Sequence, residues 1–169
     1  GTSFRWARGE SEQAITTGIP GRHQANNAMV ALTMLDALPD DLRVPPAEAI
    51  PALANVSLPG RFSRHGQWIF DVAHNPQGSA VTAETLRGIA PERPVTALVS
   101  ILGDKDWRHM IGALAPVVDH FVLTNAPTAP ASRAWDAAEA LRFARESGFD
   151  AELVPDFEAA MAAAQARGG

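Results

Sequence analysis

The chain has no cysteine and a single lysine among its 169 residues. Without thiols it has no disulfide scaffold, iron–sulfur centre, thiolate zinc site or cysteine nucleophile, which fits a reducing cytoplasmic setting. No uncharged apolar run approaches the roughly 18 residues that a membrane helix needs, and no signal-peptide pattern opens the chain, so no membrane partner is expected. Basic residues are outnumbered, 14 Lys and Arg against 19 Asp and Glu, for a formal charge of −5. That balance argues against nucleic-acid binding, which draws its affinity from neutralising phosphates. Catalytic and nucleotide signatures are missing too. The lone Lys105 follows Asp104 rather than a glycine-rich run, so there is no P-loop, and neither GxGxxG nor His-Glu-x-x-His occurs. There is no Gly-x-Ser-x-Gly elbow, and the five histidines show no metal-ligand spacing.

What is present reads as a globular chain, 46 % hydrophobic and 20 % charged, long enough for one domain or for a small domain and part of a neighbour. Residues 1–20 are polar, with β-leaning pieces at Ser3–Trp6 and Ala14–Thr17. A helix is predicted from His23 to Leu38, with Met29, Val30, Leu32 and Leu35 at amphipathic spacings, and a second from Pro46 to Ala54. Asn55–Gly66 reads as a linker or loop. From Gln67 onward, apolar runs at Trp68–Phe70, Thr96–Val99, Phe121–Leu123 and Leu153–Val154 alternate with helical patterns at Pro76–Ile89, Trp107–Leu114, Ser132–Ser147 and Phe157–Ala166. That βα rhythm predicts an α/β fold in which helices cover a parallel sheet. Asn75, Asp106, Ser132 and Asp156 are the expected helix caps, and Gly148 an expected left-handed stop.

Ligands of an open α/β sheet bind beyond the carboxyl ends of its strands. The segments at that edge are Asp71-Val72-Ala73-His74-Asn75-Pro76, Gly103-Asp104-Lys105-Asp106 and Thr124-Asn125-Ala126-Pro127. Asp71 is placed to accept from a ribose hydroxyl or to orient His74, or else to serve as a turn aspartate. Arg61, beside Gly60 in the linker, suits a phosphate or carboxylate. Asn26 and Asn27 sit unfavourably in a helix start, where they cap the turn or meet a ligand. Lys105, between two aspartates, reads most plainly as a surface ion pair.

These segments resemble a family. Gly21-Arg22-His23-Gln24-Ala25-Asn26-Asn27-Ala28, Leu58-Pro59-Gly60-Arg61-Phe62 and Asp71-Val72-Ala73-His74-Asn75-Pro76 are similar to motifs of the folylpolyglutamate and dihydrofolate synthases, within the Mur ligase superfamily. Lys105-Asp106 and Ala131-Ser132-Arg133-Ala134 fall where that family has a Lys-Asp pair and a Pro-Arg-Ala/Ser-like segment.

The resemblance implies the C-terminal part of a monomeric cytoplasmic ligase that joins L-glutamate to a folate or dihydropteroate carboxylate through an acyl phosphate, using ATP and Mg2+. Residues 1–54 would end a central ATP-binding domain that carries the Mg2+ ligands. Residues 55–169 would form a Rossmann-like C-terminal ligase domain, a mostly parallel sheet lacking its last strand. Asn27 would contact adenine, and Arg61 the phosphates. Asp71 would bind ribose or position the nucleotide, and His74 would position nucleotide or glutamate. Arg61, Asp71 and His74 are the expected catalytic residues, and Lys105 and Arg133 stand on the glutamate side. No metal ligand is expected within this chain, and the chain alone is expected to be inactive. A stand-alone nucleotide-binding or regulatory module and a peptidoglycan-type Mur ligase remain as alternatives.

Overall fold

Alternating residues at the start of the chain form an antiparallel pair, β1 (Thr2–Arg8) and β2 (Ser11–Thr17), in a register that sets Phe4 opposite Ile15 and Thr2 opposite Thr17. Ile15 and Thr17 are buried, while the other face carries Ser3–Thr16 and Arg5–Glu12 side-chain bonds of 2.9 and 2.8 Å. This is the period-2 division of a strand with one wet face. Helix α1 (Arg22–Asp36) packs on the pair and buries Ala25, Ala28 and Leu32. Of the expected amphipathic set, Val30 is 57 % exposed. It stands two residues from both Ala28 and Leu32, which at 3.6 residues per turn is the outward side. Helix α2 (Pro46–Leu53) starts on a first-turn proline and packs against α1 and β2.

The computed structural model describes residues 1–8 and 11–168. It falls into two compact units, Gly1–Val72 and Ala73–Gly169. The first ends in a short antiparallel ladder, β3 (Ser63–His65) with β4 (Trp68–Phe70). The expected first strand of the parallel series is therefore half of a local hairpin. Gly66, at φ 60, lets the chain reverse between the two strands, and a short loop closes at far less entropic cost than a helical crossover. The reading of Asn55–Gly66 as linker or loop holds over 55–62, which includes the buried Phe62, and gives way to β3 at Ser63.

The second unit begins with α3 (Pro76–Ile89) and continues as β5 (Thr96–Val99), α4 (Trp107–Leu114), β6 (His120–Leu123), α5 (Ala137–Glu146), β7 (Ala151–Leu153) and α6 (Phe157–Arg167). Among the described residues three strands, in the order β5-β6-β7, form the parallel sheet, with Thr96–Val99 in step with His120–Leu123. Every residue of the central β6 is buried, as expected of a strand covered on both faces. Phe121 and Leu123 enter a core with Trp107 and Ile111 of α4 and Ala137, Ala140 and Ala144 of α5. Val122, fully buried, points to the opposite face by alternation. Helix α6 packs on β5 and β6 and contributes buried Ala160 and Ala164.

The caps at Asn75, Asp106 and Asp156 are as expected, accepting from the backbone of Gly78, His109 and Ala159 at 2.7, 3.4 and 2.8 Å. Gly148, at φ 78, follows the end of α5. Ser132 is not a cap. It lies in a 3-10 turn, Ala131–Arg133, and α5 starts only at Ala137, where Asp136 accepts from Glu139 N at 2.8 Å. An aspartate three residues before a glutamate is a stronger start signal than the serine. No described helix is long and apolar enough to cross a membrane.

Candidate functional site

The linker of the first unit closes on the end of that unit. Val72 N donates to Gly60 O at 2.8 Å, Phe62 N to Asp71 Oδ2 at 3.1 Å, and Gly60 N to Ser63 Oγ at 3.1 Å. Gly60 has φ 70, and a Cβ there would lie 2.6 Å from Val72 Cγ1, so backbone angle and space both demand glycine. Phe62 follows at φ 51, a left-handed conformation that costs a side-chain-bearing residue about 1–2 kcal/mol. Burial of its ring (8 % exposed) and its bond to Asp71 hold it there. Arg61, between these two residues, is exposed, and its guanidinium has no hydrogen bond or ion pair among the described residues. Asp71 thus serves as the turn aspartate, one of its expected tasks. The brace brings Arg61 and Asp71 together on one rigid loop, a presentation suited to forking an anion.

Asn27 lies on the second turn of α1 and is exposed. Its Nδ2 donates to Gln24 Oε1 at 3.1 Å, and Gln24 Nε2 donates to His23 Nε2 at 2.8 Å. The His-Gln-x-x-Asn motif is therefore a side-chain chain that orients the amide of Asn27. His74 belongs to the second unit, exposed, immediately before the Asn75 cap of α3.

At the carboxyl edge of the parallel sheet, the turn after β5 is stitched to the 3-10 turn after β6. Gly103 N donates to Arg133 O at 2.8 Å, and a Cβ on Gly103 would meet Ala134 O at 2.6 Å. Arg133 grips Asp104 through Nε (3.3 Å to Oδ1) and Nη2 (3.1 Å to Oδ1, 2.8 Å to Oδ2). That bond holds the Asp104 carboxyl below its ordinary value, and His109, 2.8 Å from the carboxylate, does the same for Asp106. Both aspartates flanking Lys105 are thus engaged elsewhere. The half-buried Lys105 is not in the ion pair expected of it; its ammonium has no direct partner among the described residues. Ser100 Oγ accepts from Ala126 N at 3.0 Å, and Trp135 Nε1 donates to Thr124 O at 3.0 Å, fastening the third edge segment. Asp104 is the residue that sequence reasoning missed. Its signal was one lysine between two aspartates, more acid than the lysine can neutralise. Among the described residues no group of His, Asp and Glu side chains could hold a metal ion.

Comparison with known proteins adds to this geometry. Residues 60–169 match the family described as Mur ligase, glutamate ligase domain. The dihydrofolate synthase/folylpolyglutamate synthase of Mycobacterium tuberculosis is 38 % identical over 111 residues, covering 62 % of this chain and 23 % of that protein. The structure of a Mycobacterium tuberculosis folylpolyglutamate synthase complexed with ADP matches 96 % of this chain and 39 % of its own, at 28 % identity and a TM-score of 0.74. A bifunctional folylpolyglutamate synthase/dihydrofolate synthase from Yersinia pestis, complexed with AMPPNP and a Mn ion, matches 96 % of this chain and 37 % of its own, at 26 % identity and a TM-score of 0.71. The chain thus spans well under half the length of these relatives. By its sequence match, its three-stranded parallel sheet and its helical cover, it belongs to the Mur ligase family, with residues 60–169 matching the glutamate ligase domain.

Proposed function

We propose that the protein carrying this chain is a cytoplasmic, monomeric, ATP-dependent ligase that joins L-glutamate to the carboxylate of a folate or dihydropteroate. Residues 1–54 then end its ATP-binding domain, and residues 55–169 form its C-terminal ligase domain. The observation that carries the reading is the strained, braced turn at Gly60–Phe62, which spends conformational energy to hold one arginine outward. Strain of that kind is kept where it presents a group for use. The relatives' complexes with ADP and with AMPPNP and Mn support a nucleotide as what it meets.

In the reaction, a substrate carboxylate oxygen takes the terminal phosphoryl group of ATP, ADP leaves with the bridging oxygen, and an acyl phosphate forms. The glutamate amino nitrogen then attacks the acyl carbon, phosphate leaves with the carbon–oxygen electron pair, and the amino group gives up its proton. Arg61 binds the phosphate oxygens as charge shifts among them, from a backbone position that its loop already fixes. Asp71 braces that loop and meets the ribose. Asn27, oriented by Gln24, meets the adenine. His74 positions nucleotide or glutamate, and Lys105 and Arg133 take the carboxylates of glutamate. Mg2+ would neutralise the phosphates; its ligands are assigned to the part of the protein outside this chain.

The test is the rate of amide formation in a full-length protein carrying this chain. With ATP saturating, Arg61→Ala cuts turnover by more than about tenfold while leaving the melting midpoint in place. Asp71→Asn, which keeps an acceptor for Phe62 N, separates the brace from the charge. Near-unchanged turnover in both variants sinks the assignment. So does ATP-dependent amide formation by the 169-residue chain alone.

A further inference from the structure

A guanidinium has two edges that can fork a carboxylate, one made by Nε and Nη2 and the other by Nη1 and Nη2. In Arg133 the first is filled by Asp104, with three contacts between 2.8 and 3.3 Å. Nη1 has no partner among the described residues. Asp104 and Arg133 are 49 and 43 % exposed, and an exposed pair adds little to stability. The stitch is also made independently by the backbone, through Gly103 N and Arg133 O. Asp104 is therefore not needed to join the two turns. What it determines is the plane and the free edge of the guanidinium.

Resting on the reading that Arg133 and Lys105 face the amino-acid substrate, we infer that Asp104 is a positioning residue. It occupies one fork of Arg133 and thereby commits the other to a carboxylate of the incoming dicarboxylic amino acid. Lys105, whose own neighbours are both engaged, supplies the second positive charge. The site recognises an amino acid with two carboxylates, one met by a planar fork and one by a point charge. Because Arg133 holds Asp104 below its ordinary pKa, the lock stays ionised across neutral and mildly acidic pH.

The test is steady-state kinetics in a full-length protein carrying this chain, with KM for L-glutamate and for ATP measured separately. Asp104→Asn raises KM for glutamate by about tenfold, leaves KM for ATP unchanged and barely moves the melting midpoint; Asp104→Glu restores most of the loss. The exchanged pair Asp104→Arg with Arg133→Asp re-forms an ion pair but not glutamate affinity, because the fork then stands on the wrong turn. Restored affinity in the exchanged protein, or an unchanged glutamate KM in Asp104→Asn, overturns the inference. Arg133→Ala separates the two levels. If it leaves KM for glutamate unchanged, the reading of this edge fails, and the inference with it. If it raises KM while Asp104→Asn does not, the inference fails alone.

Discussion

The two edges of the parallel sheet carry charged side chains and use them in opposite ways. At the amino edge charged side chains pair with one another and fasten the strands. His120, only 6 % exposed, lies with Nδ1 2.9 Å from Asp150 and Nε2 3.2 Å from Glu152. Arg167 donates to the same Glu152 oxygen at 2.9 Å. Arg93 pairs with Asp119, whose other oxygen accepts from Val95 N at 2.7 Å. These bonds tie the starts of β5, β6 and β7 to one another and to the last turn of α6. At the carboxyl edge the aspartates are matched, but Lys105 and one edge of Arg133 are not. One set of charges closes a fold, and the other displays groups.

The comparison breaks most easily at its closed edge. His120→Ala should destabilise the second unit by about 3 kcal/mol, chiefly from the cavity left beside β6. Urea unfolding measures it, and a loss under about 1 kcal/mol would show that the amino edge is not a staple. Next comes Gly103→Ala. The new methyl must displace the backbone of Ala134, costing about 1–3 kcal/mol and opening the Gly103–Arg133 bond, which amide exchange at Gly103 would report.

Acid should sharpen the contrast further. Asp119 and Asp150 are held below the ordinary carboxylate value, by their bonds to Arg93 and His120 respectively. The unfolded chain therefore binds more protons than the folded one in acid. Stability from these pairs is fully present above the unfolded carboxylate range and is lost as pH falls through the folded values. The urea midpoint should drop as pH is lowered from 5 to 2, and Asp119→Asn should flatten that slope. The smallest effect belongs to the open edge: Asp104→Asn should leave the urea midpoint at neutral pH nearly where it was.

Features decided within a few residues were legible in the sequence. The helices at Pro76–Ile89 and Trp107–Leu114 and the caps at Asn75, Asp106 and Asp156 follow from side chains reaching their own backbone. Asp136 was readable too, through Glu139, but the more familiar Ser132 hid it. The strand at Trp68–Phe70 was legible and its partner was not, because an apolar triplet fits a hairpin as well as a parallel ladder. The motif positions Asn27, Arg61, Asp71, His74, Lys105 and Arg133 could be picked out as residues, but their geometry could not. The φ of Phe62 depends on where Val72 returns, and the fork of Arg133 depends on an aspartate 29 positions away. Such facts arise when distant turns meet, and no local pattern encodes them.

The closure of Gly60 on Val72 also bears on where the chain can be cut open. Residues 60–72 form a loop whose base is bonded and whose tip, Gly66, stands exposed with nothing within 4 Å of where a Cβ would be. Entropy penalises extra length in a closed loop only logarithmically, and exposed tips are where inserted sequence is tolerated. A fluorophore-binding peptide or protease site spliced in after Gly66 would therefore hang outside the base that braces Arg61. The tip is a natural place to attach a reporter to this domain without disturbing the arginine that its base holds out.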